Sequence, residues 1–586
     1  MVKGTPESNT TIANIASVHS AVLLCYADGA RTIANAPQPP PAIVDVSWDA
    51  HPTTNELPVV FSSLKIYLVA ARGLVADIAG SLGKLHEELA ESRDDDDDSG
   101  DDVGSRLAAG SALVMLRWRR KRLTDLKSTI YAKFYAFRYD RVPAALRVMY
   151  ADVLVLLTYC KLLAACVEGR ADVVGEEKED EEKDDGDDDE GDVLDYVVEK
   201  LDRALITSGQ AGTLGGTWIE GTLMLLDEFS QANSDGDGDD DDDDRHPPDA
   251  KRRKKESSEE EAENVFSSSS SSSSFFSEEE PYGRPALTPS RECPRHEGWS
   301  LDRFEDYMNE PAAAAATTGS AAPRPLVFTD LLRSWPALSD RPWRSVSYLL
   351  SRTLGGRRLV PVELGRSYVD AGWSQELMPF GRFLRNHVLL DAPQQQQQEE
   401  QQKQKRAYLA QHDLLGQIPC LRRDVAVPDL CWADVPPHPA GGPGRDRPKL
   451  GSPSLNAWFG PAGTITPLHT DAYHNLLAQV VGSKYVRLYP PGAAAAMRPR
   501  GEEHGVDMSN TSAVDLGVVE GWDEPPEDED GDGEGYSGVE RDREALRGVE
   551  YWECVLGPGD TLLIPMGWWH YVRSLSISFS VSFWWN

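Results

Sequence analysis

Three side chains in the C-terminal part of the 586-residue chain have the types and spacing to hold one metal ion. His469 and Asp471 form a His-x-Asp pair within GTITPLHTDAYHN at 463–475, and a single distal His570 closes GPGDTLLIPMGWWH at 557–570. On a strand, residues i and i+2 share a face, so His469 and Asp471 can offer an imidazole nitrogen and a carboxylate oxygen to the same ion. Two histidines and a carboxylate are the facial set that leaves open positions on a non-haem Fe(II). Taken alone, the set suits a storage-type metal site equally well. Lys484, fifteen residues after His469, adds a cation that can meet a dicarboxylate and so argues for an anion-using oxygenase. His474 has the opposite strand parity to Asp471 and is expected to face away from the metal, and His412 is expected to be structural.

The elements that must position these groups are short, β-rich runs separated by Gly, Pro and Asp from about residue 295 onward. Helices are expected over Phe328 to Leu332, Trp343 to Leu350 and Gln375 to Val388. At the C-terminus Leu575, Ile577, Phe579, Val581, Phe583 and Trp585 alternate with Ser576, Ser578, Ser580, Ser582 and Trp584. That pattern predicts a strand with one packed face and one small polar face. Asn475 to Val481 and Lys484 to Tyr489 flank Gly482-Ser483, a two-residue hairpin signal. Many short strands closing on themselves suggest a jelly roll or cupin barrel.

The rest of the chain reads differently. Residues 1 to about 230 are expected to be mostly helical, with apolar residues three and four apart in 105–166 at Leu107, Leu113, Leu116, Leu123, Leu126, Ile130, Phe134 and Phe137. Residues 231–290 pass through an aspartate run, Lys251-Arg252-Arg253-Lys254-Lys255 and eight serines at 267–274. Too little apolar surface is available there to offset chain entropy, which predicts a disordered linker. The basic pentamer resembles a nuclear import signal, giving the nucleus as first address and the cytoplasm as second. Acidic runs at 94–102, 176–192, 235–244 and 523–534 carry −34 of the net charge of −37, so the remainder is close to neutral. The negative total therefore describes insertions, to which a Gln-rich one at 394–404 adds only −1. Direct nucleic-acid binding, which wants a basic face, is not expected. Seven scattered cysteines without a CxxC pair argue for a reducing compartment and against a cysteine-based zinc site. The apolar run from Val153 to Cys166 is too short to span a bilayer, and the start lacks the layout of a signal peptide; no membrane partner is expected.

NAWFGPAGTITPLHTD (456–471), VGSKYVRLYP (481–490) and IPMGWWHYVRSLSISFSVSFWW (564–585) resemble the JmjC-domain 2-oxoglutarate oxygenases. PVELGRSY (361–368) and YLAQHDLLGQIP (408–419) are similar to the lysine-demethylase-eight, or arginyl-hydroxylase, branch. The resemblance covers about residues 325–586, with several motifs in the same order. It implies an α+β chain: a C-terminal double-stranded β-helix (jelly roll, cupin, JmjC) over 295–586 behind a helical region over 1–230.

By the same resemblance His469, Asp471 and His570 are the iron ligands. Tyr408, Thr466 and Lys484 would hold the distal carboxylate of 2-oxoglutarate, and Asn475 would contact its carboxylate near the metal. Glu363, Tyr368, Trp458 and Trp584 fall where the family lines its substrate pocket. Fe(II), 2-oxoglutarate and O2 are the implied cofactor and co-substrates, and the implied partner is a protein or peptide, either an Arg-containing protein or a histone tail. Side-chain hydroxylation of a protein arginine is the first expectation, histone methyl-lysine demethylation the second, and a non-catalytic JmjC binding module the third. The same residues serve hydroxylation and demethylation and do not choose between them.

Overall fold

The computed structural model describes residues 19–36, 57–94, 102–137, 141–172, 192–209, 212–234, 275–318, 323–370, 372–389, 406–436, 447–503, 506–524 and 534–586. The acidic run at 235–244, the basic pentamer, the serine run and the Gln-rich insertion lie outside these residues, as do most of the other three acidic runs. The chain divides into two compact units, Met1–Lys254 with Arg357–Leu359, and Lys255–Gly356 with Val360–Asn586.

The first unit is helical: α1 (His19–Asn35), α2 (Leu57–Asp94), α3 (Asp102–Phe134), α4 (Ala144–Asp172), α5 (Val193–Ser208) and α6 (Gly215–Ser234). The apolar spacing read in 105–166 folds as expected, with Leu116, Leu123, Leu126 and Ile130 of α3 buried. Helix α4 is apolar on nearly every side because neighbours surround it, as a core helix requires. By length and composition its span Ala144–Glu168 is long enough to cross a membrane, unlike the shorter run read from the sequence, yet 83% of its most apolar window is buried inside the protein. Asp192 caps α5 by accepting from the Leu194 N–H, and Gly209, at φ +60°, closes it by donating to the Leu205 carbonyl. A buried Arg72–Asp152 ion pair joins α2 to α4, and Asp152 also accepts from the Thr213 N–H at 2.8 Å, so neither charge is left alone.

The second unit is built from strands. They are β1 (Arg295–His296), β2 (Leu326–Phe328), β3 (Leu359–Leu364), β4 (Ser374–Pro379), β5 (Ala407–His412), β6 (Ser454–Gly460), β7 (Ile465–His469) and β8 (His474–Val481). They continue as β9 (Lys484–Tyr489), β10 (Glu502–Glu503), β11 (Val506–Asp507), β12 (Trp552–Leu556), β13 (Thr561–Ile564), β14 (Trp569–Ser574) and β15 (Ser578–Trp585). A nine-stranded sheet runs β1-β2-β13-β8-β15-β6-β5-β3-β4 and a four-stranded sheet runs β12-β9-β14-β7. Successive strands β6, β7, β8 and β9, and again β12, β13, β14 and β15, alternate between the two sheets, which is the winding of a double-stranded β-helix.

Strand parity sorts the side chains. On β15, Phe579, Val581, Phe583 and Trp585 join the large apolar core with Phe304, Trp335, Trp343 and Phe459. The serine face points the other way, with Ser578, Ser580 and Ser582 fully buried; Ser580 donates to Gln479 Oε1 at 2.7 Å and Ser582 Oγ accepts from Trp458 Nε1 at 3.0 Å. Val486, Leu488, Leu562, Ile564 and Val572 fill the space between the sheets. The small polar face is therefore a barrel interior rather than a surface.

Several expectations are corrected. Strands β8 and β9 do not pair: β8 lies between β13 and β15, and β9 between β12 and β14. Gly482-Ser483 is a crossover from one sheet to the other. Gly482 has φ +66°, and a Cβ there would sit 1.8 Å from the Ile577 carbonyl oxygen, so the chain passes only because the residue has no side chain. The stretch from Gln375 begins as strand β4 and turns helical only at Phe380, and Phe328 ends strand β2 rather than opening a helix. The C-terminal strand starts at Ser578, since residues 575–577 bend between β14 and β15. Residues 275–290, read as the end of a linker, pack on the barrel: Phe276 is buried against Phe459 with ring centroids 5.5 Å apart, and Ser483 Oγ donates to Glu280 at 2.5 Å.

Candidate metal and co-substrate site

His469 ends β7 and His570 is the second residue of β14; the two strands are antiparallel neighbours with these residues directly opposite, which brings together groups far apart in sequence. Asp471 is not on the strand with His469, as the i, i+2 argument supposed, but in the turn at 470–473 that leads into β8. One ligand atom from each of the three lies within 4.8 Å of the others. Asp471 Oδ1 is 3.7 Å from His469 Nε2, and Oδ2 is 3.6 Å from His570 Nε2. Each imidazole donates its Nδ1–H to the carbonyl two residues earlier, His469 to Pro467 at 2.8 Å and His570 to Trp568 at 3.1 Å. Those bonds fix both tautomers and leave both Nε2 lone pairs facing the carboxylate. Burial pushes the Asp471 carboxyl above its ordinary range, and burial together with His469 pushes His570 well below its own. A cation between them would draw the Asp471 carboxyl back down and hold His570 neutral still more firmly.

A bulge sets the next group in place. Between the pairs His469↔His570 and Thr466↔Val572, β7 has two residues where β14 has one. Thr466, three residues from His469, is buried as well and lies near enough to the Tyr408 hydroxyl to ease its ionisation. Lys484, the first residue of β9 after the crossover, is 1% exposed and its Nζ donates to Tyr408 Oη at 3.1 Å. Burial lowers the Lys484 ammonium from 10.5 to about 7. An ammonium whose hydrogen bond goes to a neutral phenol suits an anion brought by a ligand. Asn475, at the start of β8, is buried with its Oδ1 unpartnered.

The expected pocket residues gather near the same place. Glu363 on β3 is in register with Tyr408 on β5, and burial raises its carboxyl to about 6 while Trp373 Nε1 donates to it at 3.4 Å. Tyr368 shares a hydrogen bond with Thr511 at 3.3 Å and feels the charges of Asp471 and Glu363. Trp458 has its ring centroid 6.1 Å from Tyr408. Trp584 stacks on Tyr473. His474 faces away from the triad: its Nδ1 accepts the Met566 N–H at 3.1 Å and its ring lies against Trp585. His412 contacts Gln417 at 2.6 Å, a structural role as expected. Trp373, Tyr473 and Thr511 were not singled out from sequence, although an aromatic two residues after Asp471 is a signal for Tyr473.

The residues fit an iron and a dicarboxylate: the donors are two imidazoles and one carboxylate on a rigid frame, with a buried cation and two hydroxyls beyond. A barrel whose sheets alternate in this way, carrying this donor set, defines a cupin-type metal domain. Residues 313–586 match the model of the Cupin-like domain, in keeping with the barrel and its winding. Similar relatives include Lysine-specific demethylase 8 of Danio rerio, 36% identical over 52% of this chain and 60% of that protein. Lysine-specific demethylase JMJ30 of Arabidopsis thaliana is 39% identical over 45% and 50%, and Jumonji C domain-containing protein 5 of Drosophila melanogaster 34% over 51% and 61%. The matches thus span about half to three fifths of these relatives' lengths.

Proposed function

We propose that the chain is an Fe(II)- and 2-oxoglutarate-dependent oxygenase acting on protein side chains. The observation that carries this reading is the His469–Asp471–His570 set facing one point with Lys484, Tyr408 and Thr466 gathered in the same barrel. When bound, the iron would supply dioxygen activation, with 2-oxoglutarate and O2 consumed, succinate and CO2 released, and one oxygen atom inserted into a C–H bond. The protein's own contribution is positional. His469, Asp471 and His570 would hold the metal, Lys484 with Tyr408 and Thr466 would hold the distal carboxylate, and Asn475 would meet the one near the metal. The buried apolar wall between the sheets excludes water from that point.

The relatives' names support N-methyl-lysine demethylation, in which oxygen insertion at a methyl carbon gives a hemiaminal that releases formaldehyde. A second reading, arginyl hydroxylation, is favoured by Glu363 and Tyr368: a carboxylate beside an aromatic ring suits a planar guanidinium. Succinate formation from Fe(II), 2-oxoglutarate and an unbiased peptide library tests the oxygenase reading. No turnover would overturn it and favour a non-catalytic binding module, and full turnover in His469→Ala would overturn the reading of His469, Asp471 and His570 as its metal set. Product mass then separates the substrates, a gain of about 16 Da on arginine against a loss of about 14 Da on methyl-lysine, from the mass of one oxygen or one methylene. A nuclear address rests on Lys251–Lys255 and is tested by whether replacing those five residues with alanine moves a fluorescent fusion out of the nucleus.

A further inference from the structure

The two tryptophans on the inner face at the barrel mouth are held differently. Trp458 Nε1 donates to Ser582 Oγ at 3.0 Å, so its polar atom is satisfied. Trp584, the last inward-facing residue of β15 and opposite Asn475 in register, has its Nε1 buried and without a hydrogen-bond partner. What holds Trp584 is a ring: Tyr473 stacks on it with centroids 6.0 Å apart and planes at 21°. Tyr473 belongs to the turn at 470–473 that carries Asp471, so the stacked pair stands beside the metal set. A buried donor without an acceptor is costly, and such groups persist where a ligand completes them.

We propose that Tyr473 is a substrate-positioning residue, which fixes the plane of Trp584 so that its indole N–H finds no internal acceptor and instead donates to a backbone carbonyl of the bound peptide. The proposal rests on the reading of the site as a protein-directed oxygenase and adds how the peptide is gripped. The two-ring wall takes the backbone flanking the target residue, and the target's cationic end runs toward Glu363 and Tyr368. Stacking needs the Tyr473 ring and not its hydroxyl, whereas Trp584 needs its ring nitrogen.

The test uses the full chain with Mn(II) and N-oxalylglycine in place of iron and co-substrate, and a fluorescein-labelled pool of nonapeptides with arginine or methyl-lysine at the centre. Peptide affinity is read by anisotropy, and Michaelis constants by succinate release with Fe(II). Tyr473→Ala and Trp584→Phe are expected to weaken peptide affinity about tenfold or more, with the 2-oxoglutarate KM within about twofold of wild type, and Tyr473→Phe to bind peptide as wild type does. Peptide affinity unchanged in Tyr473→Ala overturns the proposal while the oxygenase reading stands. An equal loss of 2-oxoglutarate affinity also overturns it, by showing that the stack only supports the turn. Wild-type protein that binds the pool without making succinate overturns the oxygenase reading, and the anisotropy ratio still judges Tyr473. Wild-type protein that binds no peptide overturns both.

Discussion

Replacing Lys484 with methionine is expected to make the ligand-free protein more stable while destroying co-substrate binding. The ammonium is buried in the barrel and lowered to about 7, against an unfolded value near 10.4. The proton-linked cost of holding it inside is therefore about 5 kcal/mol below pH 7 and about 4 kcal/mol at pH 7.4. Methionine keeps the length of the stem and removes the charge. Against that gain stands the Tyr408 hydroxyl, which loses its 3.1 Å donor at a cost of about 1–3 kcal/mol. The net expectation is a gain of about 1–3 kcal/mol, or about 3–10 °C in Tm. The pH dependence gives the sign. Between about 7 and 10 the unfolded chain holds the proton that the folded chain has released, so wild-type stability from this group rises with pH by about 1.4 kcal/mol per unit and is flat below 7. The variant's advantage is thus largest below pH 7 and shrinks above it. Thermal melts from pH 6 to 9 read the stability, and calorimetry with Mn(II) reads 2-oxoglutarate, whose affinity should fall about 100-fold or more once its carboxylate lacks a buried cation. A lower Tm for Lys484→Met at pH 6.5, or affinity retained within about fivefold, would refute the reasoning.

Three further outcomes follow from the same geometry. Gly482→Ala, which sets a methyl against the Ile577 carbonyl at a positive φ, should cost about 3 kcal/mol or more and show as loss of soluble protein or a depressed Tm. Glu363, raised to about 6 by burial, is ionised above that pH, so affinity for a cationic peptide should drop as pH falls through 6; Glu363→Gln should weaken binding about tenfold and abolish that pH dependence, read by anisotropy. Asp424, buried and accepting from Trp343 Nε1 at 3.0 Å, Arg341 Nη1 at 2.9 Å and the Tyr348 hydroxyl, anchors the core tryptophan, and Asp424→Asn should lower stability by about 2–4 kcal/mol in urea melts.

What was legible in the sequence was whatever local chemistry dictates. The β15 alternation shows in the text because an inward serine and an outward Phe, Val or Trp satisfy opposite environments. The α3 spacing shows because a helix repeats its buried face every turn. His469, Asp471 and His570 stood out because histidines and aspartate in such motifs have few structural uses, and they do converge. Less visible was anything decided by distant partners. Residues 275–290 carry weak periodicity, yet Phe276 finds Phe459 and Glu280 finds Ser483. Gln375 to Pro379 contains good helix formers that tertiary pairing holds as strand. Tyr473 has no meaning until Trp584 arrives from the end of the chain.

The hairpin reading of Gly482-Ser483 shows why topology and chemistry cannot be separated here. Two strands joined by two residues pair with each other when nothing else competes for their edges. In this barrel both edges of β8 are taken by β13 and β15, and both edges of β9 by β12 and β14. The chain must therefore leave one sheet and enter the other within two residues, and only a glycine clears the Ile577 carbonyl. In a hairpin Asn475 and Lys484 would lie on two paired strands of one sheet. After the crossover they occupy different sheets that face each other, Asn475 opposite Trp584 and Lys484 opposite Ser574. A ligand between the sheets can then be met from both sides, near the metal set by Asn475 and deeper by Lys484. The glycine that looked like a turn signal is the residue that lets the cation point inward.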